Sequence, residues 1–171
     1  MTTPHLETLW ARGQALLGVQ YPIMCGAMTW VSEPTLVAAV CEAGAFASLA
    51  CGNMPPDELT RQIAAARART SKPFAVNLIT VAPDYLQHLD VVVQEQLPVI
   101  VFAGSLPREQ EIEKAKAAGI KVLAFASTDA LAKRMIRYGV DGLILEGSEA
   151  GGHIGPVAGQ IGRAACRERV W

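Results

Sequence analysis

The sequence has few charged residues and no long apolar run, and each shortage excludes a class of protein. Charged residues make up 18% of the 171-residue chain, with 15 Lys and Arg nearly balancing 16 Asp and Glu. Because there is no basic stripe, a nucleic-acid-binding protein is excluded. The longest unbroken apolar run, Leu36–Cys41, is far shorter than the roughly 18 residues of a membrane-spanning helix. Apolar residues reach 51%, which excludes intrinsic disorder.

The sequence also lacks an export signal and the cysteine spacings of metal or redox motifs. Residues Met1–Glu7 contain neither the basic nor the apolar segment of a signal peptide, so we expect a cytoplasmic protein. Cysteines occur at Cys25, Cys41, Cys51 and Cys166, and no two of them form a CxxC pair. We expect small, reduced, buried side chains and predict no metal site.

Short apolar segments alternate along the chain with longer helical segments. The apolar segments are nearly continuous, which is typical of parallel strands that are covered on both faces. The predicted strands are Tyr21–Cys25, Ala45–Leu49, Phe74–Ile79, Pro98–Ala103, Lys121–Phe125 and Asp141–Leu145. The predicted helices are Leu6–Leu17, Glu33–Glu42 with Ser32 as N-cap, Pro56–Thr70, Pro83–Val93, Pro107–Ala118 and Thr128–Tyr138.

This alternation predicts an α/β fold of the TIM (β/α)8-barrel family, incomplete, with about six βα units. The rival is a doubly wound open sheet, which is weakened because the sequence has no G-x-G-x-x-G after its first strand or elsewhere. We expect residues 1–158 to form the partial barrel and residues 159–171 to be a non-native tail. Segment Gln160–Trp171 has no amphipathic period and carries three arginines in seven positions. It resembles translated sequencing-adapter DNA, and a genuine basic tail is the alternative.

In parallel α/β folds ligands bind at the carboxyl ends of the strands, so candidate residues are sought there. The first strand leads into Gly26, Ala27 and Met28, whose backbone could approach a flat ligand and whose thioether could cover it, or which could form a simple turn. The third strand contains Asn77. Its amide either pairs with a neighbouring backbone or binds the edge of a heterocycle, since a buried amide without a partner costs about 1–3 kcal/mol.

The sixth strand leads into a glycine-rich segment that carries the one histidine with a catalytic context. This segment runs from Glu146 to Pro156 and contains His153 between Gly152 and Ile154. Histidine exchanges a proton near neutral pH, and a loop at the strand ends can aim it at a substrate. We therefore predict His153 as a proton acceptor. His5 and His88 have no such context, and we expect both at the surface.

Four segments together resemble the nitronate monooxygenase family, formerly called 2-nitropropane dioxygenase. They are Gly26–Thr29, Phe74–Ile79, Val101–Gly104 and Glu146–Gly155. The resemblance implies an FMN-binding TIM barrel that oxidises alkyl nitronates or nitroalkanes with dioxygen.

The resemblance also implies roles for individual residues. The implied contacts with FMN are made by Gly26, Ala27, Met28, Asn77, Glu146, Gly151 and Gly152. The implied catalytic base is His153.

Two other functions fit the same motifs. Type II FMN-dependent enoyl-acyl-carrier-protein reductases carry a similar glycine–histidine loop and consume NAD(P)H, and a severed barrel would have no activity of its own. The seventh and eighth strands of a TIM barrel, whose loops usually hold the phosphate, have no counterpart in this sequence. We therefore expect the chain by itself to aggregate or oligomerise, to hold little FMN and to oxidise nitronates negligibly.

Overall fold

The computed structural model describes residues 4–148, 150 and 151, in which helices and strands alternate from end to end. The helices are α1 Pro4–Leu17, α2 Pro34–Glu42, α3 Pro56–Arg67, α4 Tyr85–Gln94, α5 Glu109–Ala117 and α6 Asp129–Arg137. The strands are β1 Met24–Cys25, β2 Phe46–Ala50, β3 Ala75–Ile79, β4 Val99–Ala103, β5 Lys121–Ala126 and β6 Gly142–Leu145. No described helix has the length and apolar character needed to cross a membrane.

The strands form one parallel sheet whose spatial order follows the chain, β1-β2-β3-β4-β5-β6. A doubly wound sheet reverses its strand order at a switch point, so that rival is wrong. Consecutive strands connected by helices on one side are the units of a (β/α)8 barrel. Within the described part of the chain no ladder joins β6 back to β1, and the prediction of an incomplete TIM-type barrel with six units is confirmed.

Side chains of the strands alternate between two apolar layers, as the period of a β-strand requires. The layer between sheet and helices contains the fully buried Leu59, Ile63 and Ile100. The concave side of the sheet has its own cluster, which consists of Leu17, Phe46, Ala75, Val99, Val101 and Leu123. Burial of each large apolar side chain contributes roughly 1.5–3 kcal/mol, so both layers hold the sheet.

Helix α1 packs against the end of the sheet where the strands begin. Leu16 and Leu17 of this helix belong to the concave cluster. Lys121, the first residue of β5, donates from Nζ to the carbonyl oxygens of Ala15 and Leu16 at 3.1 and 2.6 Å. A cation at a helix C-terminus is favourable because the last carbonyls have no partner within the helix. The opposite, carboxyl end of the sheet is the end at which a site is expected.

Helix ends follow the sequence signals in most places. Gly119 and Gly139, predicted to stop α5 and α6, have positive φ angles of 77° and 82°, a conformation that glycine adopts readily. Thr128 caps α6 by accepting the N–H of Leu131 at 3.2 Å. The predicted N-cap Ser32 is wrong, because α2 begins one residue later, after Glu33. Residues 159–171 lie outside the described residues, so the domain boundary stays a prediction.

Candidate active site

Asn77 lies on the concave side of β3, in register with Ala50 of β2 and Val101 of β4. Its neighbour two residues earlier, Ala75, belongs to the concave cluster, and the strand period puts Asn77 on the same face. Asn77 is 9% exposed. Its backbone carbonyl accepts the thiol of Cys51 at 3.2 Å. No hydrogen bond joins its carboxamide to another described residue, so the alternative of a backbone partner finds no support there.

Gly26, Ala27 and Met28 follow β1 at the same end of the sheet. Gly26 is exposed, and a Cβ built on it would meet no described atom within 4 Å. Met28 is 45% exposed although its side chain is apolar. The hydroxyl of Ser32 accepts the N–H of Met28 at 2.9 Å and donates to the carbonyl of Gly26 at 3.2 Å. The loop is therefore accessible to a ligand at Gly26 and Met28, and its backbone is held in place by the hydrogen bonds to Ser32.

Glu146 follows β6, the strand that pairs with β5 at the edge of the described sheet. It is half-buried, and its N–H points to the carbonyl of Ala126, the last residue of β5, at 3.4 Å. Gly151 is exposed, with open space where a Cβ would stand. Gly26–Met28 and Glu146 thus lie at the carboxyl end of the sheet, and Asn77 lies in the middle of β3, level with Ala50, the last residue of β2. Gly152 and His153 lie outside the described residues, and their predicted roles stay predictions.

Thr80 joins the ends of β3 and β4 and was not singled out from the sequence. Its hydroxyl donates to the carbonyl of Ala103 at 3.1 Å and accepts the N–H of Ser105 at 2.7 Å. Between these residues Gly104 has a φ of 89°, which favours glycine. A Cβ on Gly104 would lie 3.3 Å from Ile79. The hydroxyl of Thr80 thereby fixes a close turn beside the strand that carries Asn77.

His88 is not the surface residue that the sequence predicts. It is 1% exposed, on the buried side of α4, and its Nε2 lies 2.8 Å from the carbonyl of Met54. Its Nδ1 has no partner among the described residues. The period of α4 places His88 one residue before buried Leu89 and four before buried Val92, a signal of burial that the sequence did contain. His5 is exposed, as predicted.

The described cysteines are free thiols, and the two buried ones are not activated as nucleophiles. Cys41 and Cys51 are buried, as predicted, whereas Cys25 is half-exposed. Burial raises the pKa of the Cys51 thiol to about 12, and burial likewise raises the pKa of Cys41. Such thiols stay protonated and unreactive near neutral pH. Cys166 lies outside the described residues. No cluster of three or more metal-binding side chains occurs within residues 4–148 and 150–151.

A polar pair outside the site stabilises the helix layer. The hydroxyl of Tyr85 donates to Oε2 of Glu111 at 2.8 Å, and this carboxylate also accepts the N–H of Arg108 at 2.7 Å. Burial, followed by the adjacent Glu111 carboxylate, raises the pKa of Tyr85. The carboxylate therefore caps α5 and anchors α4, which is a structural role.

A groove of about 480 Å³ lies at the opposite end of the sheet. Its lining consists of Arg67, Thr70, Ser71, Lys72, Pro73, Phe74, Leu97 and Pro98. These residues precede β3 and β4 in the chain, so the groove is at the amino end of the strands. In barrels of this type that end serves stability rather than chemistry, and none of the predicted site residues lines it.

Comparisons with known proteins point to one family. The family model described as nitronate monooxygenase matches residues 11–88 and 79–170. A nitronate monooxygenase of Paraburkholderia phytofirmans is 32% identical over 82% of this chain and 49% of that protein. A (3aS,4S,5R,7aS)-5-hydroxy-7a-methyl-1-oxo-octahydro-1H-indene-4-carboxyl-CoA dehydrogenase of Rhodococcus jostii is 37% identical over 90% of this chain and 43% of that protein.

Solved structures of similar sequence superpose on this chain. FabK from Thermotoga maritima superposes with a TM-score of 0.83 and 41% identity, over 86% of this chain and 47% of that one. A nitroalkane oxidase from Streptomyces ansochromogenes superposes with a TM-score of 0.77 and 28% identity, over 84% of this chain and 51% of that one. The chain spans about half the length of the proteins that it matches.

Proposed function

Because the chain belongs to the nitronate monooxygenase family, we propose that it forms part of an FMN-dependent oxidoreductase that oxidises alkyl nitronates with dioxygen. One observation carries the proposal. Asn77, which is 9% exposed, presents a carboxamide without a described partner on the concave side of β3, two strands from β1 and the open loop Gly26–Met28 that follows it. A free donor and acceptor on the same sheet as accessible backbone fit the polar edge of a flat heterocycle such as the flavin ring.

The residues of the chain would hold and orient FMN and manage one proton. Asn77 would pair with the ring edge, Gly26–Met28 and Gly151 would contact it through backbone or thioether groups, and Glu146 would contact it from β6. FMN, when bound, supplies the electron and oxygen chemistry that side chains do not provide. We assign to His153 the removal of the α-proton of a neutral nitroalkane, a task for which a neutral imidazole is suited.

A second candidate is the NAD(P)H-dependent reduction of an enoyl thioester. It is supported by the relative from Rhodococcus jostii, whose name gives a CoA substrate, because the proposed enoyl substrate is a thioester as well. A shared scaffold does not separate the two reactions. The presence of nitronate monooxygenases and a nitroalkane oxidase among the matches favours the oxygenase.

Oxygen uptake and NAD(P)H consumption distinguish the two candidates. The test protein is a chimera that joins residues 1–158 to the remaining segment of the Rhodococcus jostii relative, since the chain spans about half of such proteins. With FMN added, we expect oxygen uptake on addition of an alkyl nitronate and no NAD(P)H consumption with crotonyl thioesters. The reverse pattern would establish the reductase. Bound flavin without either reaction would support a non-catalytic role.

A further inference from the structure

The hydroxyl of Ser32 closes the loop after β1 into a fixed ring. It accepts the N–H of Met28 at 2.9 Å and donates to the carbonyl of Gly26 at 3.2 Å. The Ser32 side chain is buried, with 4% of the residue exposed, so water does not compete for these bonds. The carbonyl of Ser32 accepts the N–H of Ala50 at 3.2 Å, which ties the ring to the end of β2.

These bonds leave the backbone N–H of Ala27 available to a ligand. The carbonyl of Gly26 and the N–H of Met28 are both satisfied by Ser32. The N–H of Ala27, which lies between them in the chain, forms no hydrogen bond to any described group. Gly26 offers open space at its Cβ position. A backbone donor held in place beside open space is suited to binding an acceptor atom of a ligand, because no ordering entropy remains to be lost.

We propose that Ser32 is a positioning residue for the flavin, which holds the Gly26–Met28 peptides so that the Ala27 N–H faces the ring. The inference rests on the proposed function, because it takes FMN as the ligand of this loop. Without the hydroxyl, the carbonyl of Gly26 and the N–H of Met28 lose their common partner, and the loop has more conformations to lose on binding. Ser32 acts through the loop and does not itself touch the ligand.

FMN titration of the chimera defined above, which is the parent chain of the variants below, is followed by quenching of flavin fluorescence and tests the inference. Ser32→Ala should raise the Kd for FMN about tenfold, which is the effect of roughly 1.4 kcal/mol, and should shift the absorbance band of the bound flavin. Ser32→Thr keeps the hydroxyl and should restore both. The matched control is Ser48→Ala, since Ser48 is 1% exposed in β2 and its hydroxyl has no partner among the described residues. That variant should bind FMN like the parent chain.

The outcomes separate this inference from the proposed function. A parent chain that binds no FMN overturns the flavin site and the role of Ser32 together. A parent chain that binds FMN with the same Kd and spectrum as Ser32→Ala overturns the role of Ser32 alone. If Ser32→Ala does not fold, Ser32→Cys provides the comparison, because its thiol is a weaker donor and acceptor at the same position. Equal Kd values for Ser32→Cys and the parent chain then overturn the inference.

Discussion

Replacement of Asn77 by alanine distinguishes two roles of this residue, as a ligand of the cofactor or as an amide that stabilises the fold. If the carboxamide pairs with FMN, its loss leaves a ligand atom unpaired, at a cost of about 1–3 kcal/mol. The Kd for FMN should then rise roughly 5- to 150-fold. The stability of the cofactor-free chain should change little, because no described group bonds to this carboxamide although the residue is only 9% exposed.

Two measurements on the same variant decide between these roles. In the chimera, FMN affinity is measured by fluorescence titration, and the free energy of unfolding is measured by urea denaturation without FMN. The matched control is Asn53→Ala, since Asn53 is exposed in the turn after β2 and should change neither quantity. A fall in unfolding free energy of about 1–3 kcal/mol with unchanged FMN affinity would refute the reasoning and identify Asn77 as a structural residue.

Four further predictions concern the helix layer, the thiols and the proton acceptor. Tyr85→Phe should lower the free energy of unfolding by about 1.5–3 kcal/mol in urea denaturation, since it removes a buried bond to the Glu111 carboxylate. Iodoacetamide at pH 8 should label Cys25 before Cys51, as mass spectrometry can show. The Cys51 thiol has its pKa raised by burial from 9.0 to about 12. It therefore contributes stability that is complete below pH 9 and is lost as the pH rises towards 12, and Cys51→Ala should show less of that loss. In the chimera, His153→Asn should lower turnover of neutral nitroalkanes at least ~10²-fold and affect preformed nitronates less, and an unchanged nitroalkane rate would remove His153 from the mechanism.

The elements and their order follow from local sequence signals, whereas the bonds that shape the site do not. Apolar runs predicted the strands, and glycines such as Gly119 predicted helix ends, because these signals act within a few residues of the chain. Serine is a residue type that commonly caps helix N-termini, yet the hydroxyl of Ser32 forms its hydrogen bonds with the loop after β1. Only the folded conformation of that loop shows which backbone groups the hydroxyl of Ser32 binds.

Side chains with long-range partners were the hardest to predict. Thr80 meets Ala103, 23 residues later, and His88 meets Met54, 34 residues earlier. Neither contact can be predicted from the spacing of the residues in the sequence, since each depends on how the parallel strands and the helices that cover them pack together. The position of Asn77 at the concave face was predictable from the strand period. Its lack of a described partner became visible only in the structure.

The central claim is that this sheet binds a flavin at the carboxyl ends of its strands. FMN added to the purified chimera of residues 1–158 and the remaining segment of the Rhodococcus jostii relative, followed by difference absorbance of the flavin bands, tests it most directly, because both proposed reactions need that cofactor. We expect saturable binding at a ratio of about one FMN per chimera, with displaced absorbance bands that mark a ring removed from water. Flavin bands that do not change over the whole titration would contradict the account.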